Sequence, residues 1–330
     1  SKKSVLRRAR PLCRSAESRC HRIARCSVFL VRNPSVGCKM RHALSAALLA
    51  YASSWTPPMR RRPALAPRYA LKVEQDARWP GWTESVDPAA KLLYMPFLET
   101  QLKILDKIGA VERPDAVRPE LRLGEKPRRS DDDAKGAARV GSRVFEVPGK
   151  FRRVRMTYFD GGQALQVFNS LWYPTFNRPD APLLGVDLLR FGPKKFLCIV
   201  DAQPPQGRAH ALHDTSTLDA IKRKYPALEG EVSSRYYDDN RFFSKQMLYG
   251  RFADDGERLV EEALLPAFGA YVEAYVDVVA RCGTSGKDAR PFHADYDAFN
   301  AERDPAHGLF TSYFGEEWSD AYLSEFLFAL

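Results

Sequence analysis

Between residues 87 and 107 the apolar positions Leu92, Leu93, Phe97, Leu98, Leu102 and Leu105 recur at helical spacing, which predicts a helix from about Asp87 to Lys107. Further on, the pattern changes to four short apolar runs, Arg152–Phe159, Gln163–Trp172, Pro182–Arg190 and Lys195–Asp201. Their length predicts strands, and Asp160-Gly161-Gly162 and Gly192-Pro193-Lys194 are tight-turn chemistry that joins neighbours as hairpins. Successive hairpins imply an antiparallel sheet. The third and fourth runs are apolar on both faces, so helices must cover both sides of it. Patterns near 215–225, 256–282, 292–303 and 314–328 supply those helices. The predicted fold class is therefore α/β: a three-layer α/β/α sandwich with a central antiparallel sheet, in one domain over residues 74–330. Residues 111–143 are rich in Pro, Gly and charge with almost no aromatics, and read as a mobile surface insertion.

Charge divides the chain unevenly. The whole sequence carries +10, but residues 1–73 hold 17 Lys or Arg and one acid, leaving 34 basic and 40 acidic residues elsewhere, a net of −6. A nucleic-acid partner is therefore not implied for the body. The leader reads as address: from Met40, MRHALSAALLAYASSW has a short basic start, an apolar run and the cleavable Ala50-Tyr51-Ala52, and the Arg-rich MRRRPALAPRYALK follows. A signal peptide joined to a transit-like segment predicts import into a plastid, with residues 1–39 an upstream extension; the alternative is a basic tail. Ala43–Ala52 is too short to span a bilayer, so no membrane anchor is expected there. Four of the six cysteines lie in the leader, and no CxxC pair occurs. With Cys198 and Cys282 alone in the body and six scattered histidines, no metal site, thiolate cluster or disulfide framework is expected. There is also no GxGxxG and no Gly-rich phosphate loop, so neither nicotinamide nor flavin is implied.

The run PLLGVDLLRF, Pro182 to Phe191, places a carboxylate in the middle of a strand. Burying it ionised and unpaired is costly, so Asp187 is paired, protonated or used beside a ligand, the structural alternative being an aspartate hydrogen-bonded to loop amides. Asp304, in AERDPAH, reads on its own as a capping acid at a helix boundary.

The segments ALQVFNSLWYP, PLLGVDLLRFGPKKFLCIVDAQP, RFFSKQMLYGRF and AERDPAHGLFTSYFGEEWSDAYLSEFLF resemble the ferredoxin-dependent bilin reductases, over about residues 85–330. The likeness is strongest to the branch that reduces 15,16-dihydrobiliverdin to phycoerythrobilin. It implies an enzyme without bound cofactor, which takes single electrons from reduced [2Fe-2S] ferredoxin and protons from acidic side chains. A bilin would lie between the sheet and the C-terminal helices. On this resemblance Asp187 and Asp304 match the two catalytic aspartates, and Gly185 would leave room for a flat ring. Thr157 and Asn169 stand where phycocyanobilin-forming members carry Glu and His, which argues against that activity; Asn169 could still bond a pyrrole or lactam. Arg251 matches the propionate-binding arginine. Pro305 replaces the family's lysine after the second aspartate, so a second cation must come from elsewhere, with Arg303 and Arg241 available. Lys194 and Lys195 are expected to dock acidic ferredoxin, with Lys150, Arg152, Arg153, Arg155 and Arg190 as further basic candidates. Two alternatives remain: the preceding step, biliverdin to 15,16-dihydrobiliverdin, and a non-enzymatic bilin carrier. Product transfer to another bilin reductase or a lyase is a further expectation.

Overall fold

A computed structural model describes residues 81–128, 130, 136–204, 212, 214–230 and 241–328. All of them fall in one compact unit, Ala66–Leu330. The leader expected over residues 1–73 lies outside the described residues.

The first helix, α1 (Met95–Lys107), begins eight residues later than its periodicity predicts. Pro96 is tolerated in a first turn and not further inside, and it sets the start. The preceding apolar residues are pinned in other ways: Leu93 N–H donates to Gln166 Oε1 at 2.9 Å, and Tyr94 N–H donates to the Tyr158 hydroxyl at 3.1 Å.

Part of the stretch 111–143 is built into the sheet, where a surface insertion is expected from its composition; 129 and 131–135 lie outside the described residues. The stretch forms β1 (Val111–Glu112), the one-turn α2 (Pro119–Arg122), β2 (Leu123–Lys126) and the first half of β3 (Ala138–Val147). Two features hide the strand. Arg139 and Arg143 look like solvated charges, yet Arg139 Nη2 pairs with Asp160 at 3.0 Å and Arg143 pairs with Glu112. Next to them, Val140 and Val144 are buried.

The sheet continues with β4 (Phe151–Gly161), β5 (Leu165–Pro174), β6 (Leu183–Phe191), β7 (Phe196–Gln203) and β8 (Leu248–Phe252). Its eight strands run in the order β1-β3-β4-β5-β6-β7-β8, with β2 also on β3, and every pair is antiparallel. The β4–β5 turn requires a glycine: Gly162 has φ +66, and a Cβ there would lie 2.4 Å from Asp87 Cβ.

Helices cover both faces, as the two-sided apolarity of β6 and β7 requires. On one face α1, α3 (Ser216–Lys224) and the long α4 (Gly256–Arg281, with a π turn at Val260–Leu264) bury Phe97, Phe268, Tyr271 and Tyr275 against Met156, Tyr158, Phe168, Trp172 and Val186. By length and apolarity α4 could cross a membrane; instead its Phe268, Tyr271, Val272 and Tyr275 are fully buried in this core. Large side chains buried this way each contribute about 1.5–3 kcal/mol. On the opposite face lie α5 (Arg290–Arg303), α6 (Ala306–Phe314) and α7 (Glu316–Tyr322), which runs into a π turn at Leu323–Leu327. An aromatic stripe, Phe310, Phe314, Trp318, Tyr322 and Phe326, seals α6 and α7 onto Phe159, Val167 and Val140. A separate patch holds α5 through Tyr296 and Phe299 against Leu171, Tyr173 and Leu183. Between the two patches the helices stand away from the sheet.

Candidate active site

That gap is a cavity of about 250 Å³ over the middle of β4, β5 and β6, roofed by the α5–α6 junction and the C-terminal residues Leu327 and Phe328. Strand register puts Ser142, Thr157, Asn169, Asp187, Ile199 and Tyr249 in one row across this face. The mid-strand aspartate therefore looks into a ligand-sized space.

Asp187 is half-buried and faces the cavity. Burial pushes its carboxyl up to about 7; a hydrogen bond from Asn169 opposes the rise, the Asp304 charge adds to it, and the Arg155 guanidinium counters it. Asn169 Nδ2 donates to Asp187 Oδ1 at 3.2 Å, and Arg155 Nη1 donates to Asn169 Oδ1 at 2.5 Å. Asp304 joins α5 to α6 and also lines the cavity. Its Oδ1 accepts the Ala306 N–H at 2.8 Å, so the capping role and the cavity-facing position coexist. Burial holds this carboxyl above its usual range as well, against that backbone bond and Arg155. Two acids, both favoured in the protonated form relative to water, thus share one cavity. Such groups can hold a proton near neutral pH and release it to a reacting base.

The other residues expected from the sequence fall in different places. Thr157 lines the cavity, but its hydroxyl is engaged with the Tyr322 hydroxyl at 2.7 Å, which also meets Ser142 Oγ at 2.7 Å. Gly185 lines the cavity too, and the room it leaves is next to Gln203, whose Oε1 would lie 3.0 Å from an added Cβ. Arg251 does not line the cavity. It sits exposed on the edge strand β8, on the same sheet face, in register with Leu197 and through it with Leu189. Two strand spacings put it roughly 10 Å from β6, where it would meet a substituent reaching out of the cavity. Arg303 stands at the rim, ion-paired with Glu302 at 2.6 Å and stacked on Phe299 at 4.0 Å. Arg241 is held outside, on Asp295 at 2.6 Å.

Lys194 and Lys195 are exposed at the tip of the β6–β7 hairpin, where Lys194 pairs with Asp254 at 2.8 Å. The adjoining Phe191 is 47 % exposed and reaches the cavity rim. The wider set of basic docking candidates needs correction: Arg153, Arg155 and Arg190 are buried and Arg152 is half-buried, because helices cover both faces of the sheet. Arg153 Nη2 donates to the Phe326 carbonyl at 2.5 Å, and Arg190 pairs with Glu257 at 3.1 Å. Arg155 is the site residue that sequence reasoning misplaced, and its two-residue spacing from Thr157 was the available signal. Gln203 and Tyr296 also line the cavity and Tyr322 holds Thr157, and no motif in the sequence singles these three out. Among the described residues no three His, Cys, Asp or Glu side chains converge to hold a metal ion.

Residues 114–329 match the family described as ferredoxin-dependent bilin reductase. The chain is 42% identical over 202 residues to a 15,16-dihydrobiliverdin:ferredoxin oxidoreductase of Synechococcus sp. strain CC9902, covering 59% of this chain and 84% of that protein. A protein of the same name from Synechococcus sp. strain CC9605 is 38% identical over 243 residues, 72% of this chain and 97% of its own length. The Gloeobacter violaceus protein of that name is 35% identical over 243 residues, 72% of this chain and 95% of its own. Among solved structures, tomato phytochromobilin synthase in complex with biliverdin superposes with a TM-score of 0.54 at 18% identity, over 71% of this chain and 82% of that one, a likeness of fold. By sequence the chain belongs to the ferredoxin-dependent bilin reductase family, and it is an oxidoreductase.

Proposed function

We propose that the chain uses reduced ferredoxin to convert biliverdin to 15,16-dihydrobiliverdin, with Asp187 and Asp304 as proton donors. The observation that carries this reading is a cavity with two burial-raised carboxylic acids, in a chain whose relatives are named for the couple of 15,16-dihydrobiliverdin with ferredoxin. In a name of that form the first compound is the electron donor, so 15,16-dihydrobiliverdin is the reduced member of the couple and biliverdin the oxidised one. Running the couple toward reduction takes one electron from each of two ferredoxins and two protons, and saturates the C15–C16 bond. The first electron makes a bilin radical, and a proton from a nearby acid neutralises it before the second arrives. Asp187 and Asp304 approach the cavity from the sheet and from the helical roof, so they can serve different atoms of a flat substrate.

A second reading is the reduction of 15,16-dihydrobiliverdin to phycoerythrobilin, which the resemblance of PLLGVDLLRFGPKKFLCIVDAQP and its companion segments favours. In either case Lys194 and Lys195 receive ferredoxin, Arg251 and Arg303 meet the propionates, and the product passes to another bilin reductase or a lyase. Residues 1–73 act as a plastid address, supported by their signal-like and Arg-rich pattern.

The test is anaerobic turnover with a reduced [2Fe-2S] ferredoxin supply and each bilin separately, with products resolved by chromatography. Consumption of biliverdin with formation of 15,16-dihydrobiliverdin supports the first reading. Turnover of 15,16-dihydrobiliverdin alone, to phycoerythrobilin, moves the assignment to the second. Spectral shifts without turnover of either would sink both.

A further inference from the structure

Arg155 is 3 % exposed, lines the cavity floor from β4 and forms no ion pair among the described residues. A buried guanidinium without a carboxylate partner needs another purpose, since its desolvation is otherwise uncompensated. Its hydrogen bond is with an amide, and its guanidinium lies 5.7 Å from the centre of the Phe328 ring. Arg155 Nη1 donates to Asn169 Oδ1, and arginine has five donors and no acceptor, so the amide must turn its oxygen toward the guanidinium. The amide nitrogen is then forced toward Asp187, where it donates to Oδ1. No described residue donates to Asp187 Oδ2.

We propose that Arg155 is a positioning residue, whose guanidinium locks the Asn169 amide so that Asp187 Oδ1 always finds a donor and Oδ2 is the oxygen that carries and delivers the proton. This rests on Asp187 being a proton donor. The groups that face Asp187 on the cavity side of the sheet are Arg155 from β4, Asn169 from β5 and Asp304 from the α5–α6 junction. Burial and the Asp304 charge favour the acid; the amide and the guanidinium favour the carboxylate. Without Arg155 the amide is free to rotate its oxygen toward Asp187, and both influences that favour the carboxylate weaken together. The acid would then hold its proton too firmly to deliver it near neutral pH.

The test reads the Asp187 carboxyl by difference infrared titration of the full-length protein, beside the pH profile of bilin turnover. Arg155→Met should move the titration, and with it the alkaline limb of turnover, about one pH unit upward. Arg155→Gln, which keeps a donor and loses the charge, should shift it the same way by less, and serves if the methionine variant does not fold. When Asn169→Leu is already present, replacing Arg155 should add less than it does alone, because much of its influence passes through the amide. An unmoved titration in a folded Arg155 variant would overturn the proposal, and so would an equally large shift in the Asn169→Leu background. Asp187→Asn identifies the infrared band. If that variant turns over normally, the donor reading fails, while the titration still judges whether Arg155 governs the Asn169–Asp187 pair.

Discussion

Asp187 and Asp297 are raised by burial to about 7 and about 6, against an ordinary carboxylate value of 3.8, and their surroundings differ. Asp297 is 3 % exposed behind the cavity and accepts the Tyr173 hydroxyl at 2.6 Å, an arrangement that holds α5 against β5. Asp187 opens on the cavity and lacks such a donor on Oδ2. Because both folded values lie above the unfolded one, the folded chain binds protons that the unfolded chain releases. Their contribution to stability is therefore fully present below about pH 4, is lost as pH rises through 6 and 7, and is flat beyond. Asp187→Asn removes that charge and keeps an acceptor for Asn169, so the variant should be more stable than the parent by on the order of 1–4 kcal/mol at about pH 8 and nearly equal to it at about pH 3. Urea unfolding at the two pH values checks this; a variant less stable at both would mean that the carboxylate is structural. Asp304→Asn should behave differently in turnover. If the two acids protonate different atoms, rapid-scan spectra of the two variants should show distinguishable stalled intermediates, and a single shared intermediate would count against separate roles.

At the scale of elements, the β6–β7 hairpin brings the exposed Phe191 and the pair Lys194 and Lys195 to the rim of the cavity. The Lys194–Asp254 pair is highly exposed, and such pairs contribute little, so it does not compete with an acidic partner. Reversing both lysines to glutamate should raise KM for ferredoxin severalfold and flatten its salt dependence, while bilin affinity stays unchanged; unaltered ferredoxin kinetics would move docking elsewhere. The bridge from α7 to the sheet is a second case. Tyr322→Phe leaves Ser142 and Thr157 without their shared partner in a buried setting and should lower unfolding stability by about 1–2 kcal/mol, with little effect on ferredoxin KM. How far these elements are legible in sequence depends on what their charges do. Strands β4 to β7 announce themselves because most of their buried positions are apolar and the β4–β5 and β6–β7 turns carry glycine. β3 does not, because Arg139 and Arg143 satisfy their charges within the fold and sequence cannot show an ion pair. β8 is five residues long and carries Gly250 and the exposed Arg251, so its pattern is too short to read. The acids of the site are legible once the family likeness is seen. Arg155 is not, since an arginine in RRVRMTY is read as solvated until strand parity fixes which side of β4 faces inward.

The whole chain joins a basic N-terminal segment to an acidic body, and the proposed address function requires that the body work alone. A protein beginning near Val73 should fold and reduce bilin at the rate of the full chain; loss of solubility or turnover would contradict the targeting reading. Within the body, the two cores on the opposite side of the sheet from α4 leave the cavity between them, so the aspartate of the central strand can meet a flat substrate without unfolding either layer. In the proposed reaction Asp187 supplies a proton to a bilin that ferredoxin has reduced by one electron. The most direct measurement is anaerobic single turnover of biliverdin by folded Asp187→Asn protein with reduced ferredoxin, followed by absorbance and electron paramagnetic resonance. If Asp187 is the donor, bilin binding survives, a slowly decaying bilin radical accumulates and 15,16-dihydrobiliverdin fails to form. Product formation by the folded variant at near the parental rate, with no radical detected, would contradict that role.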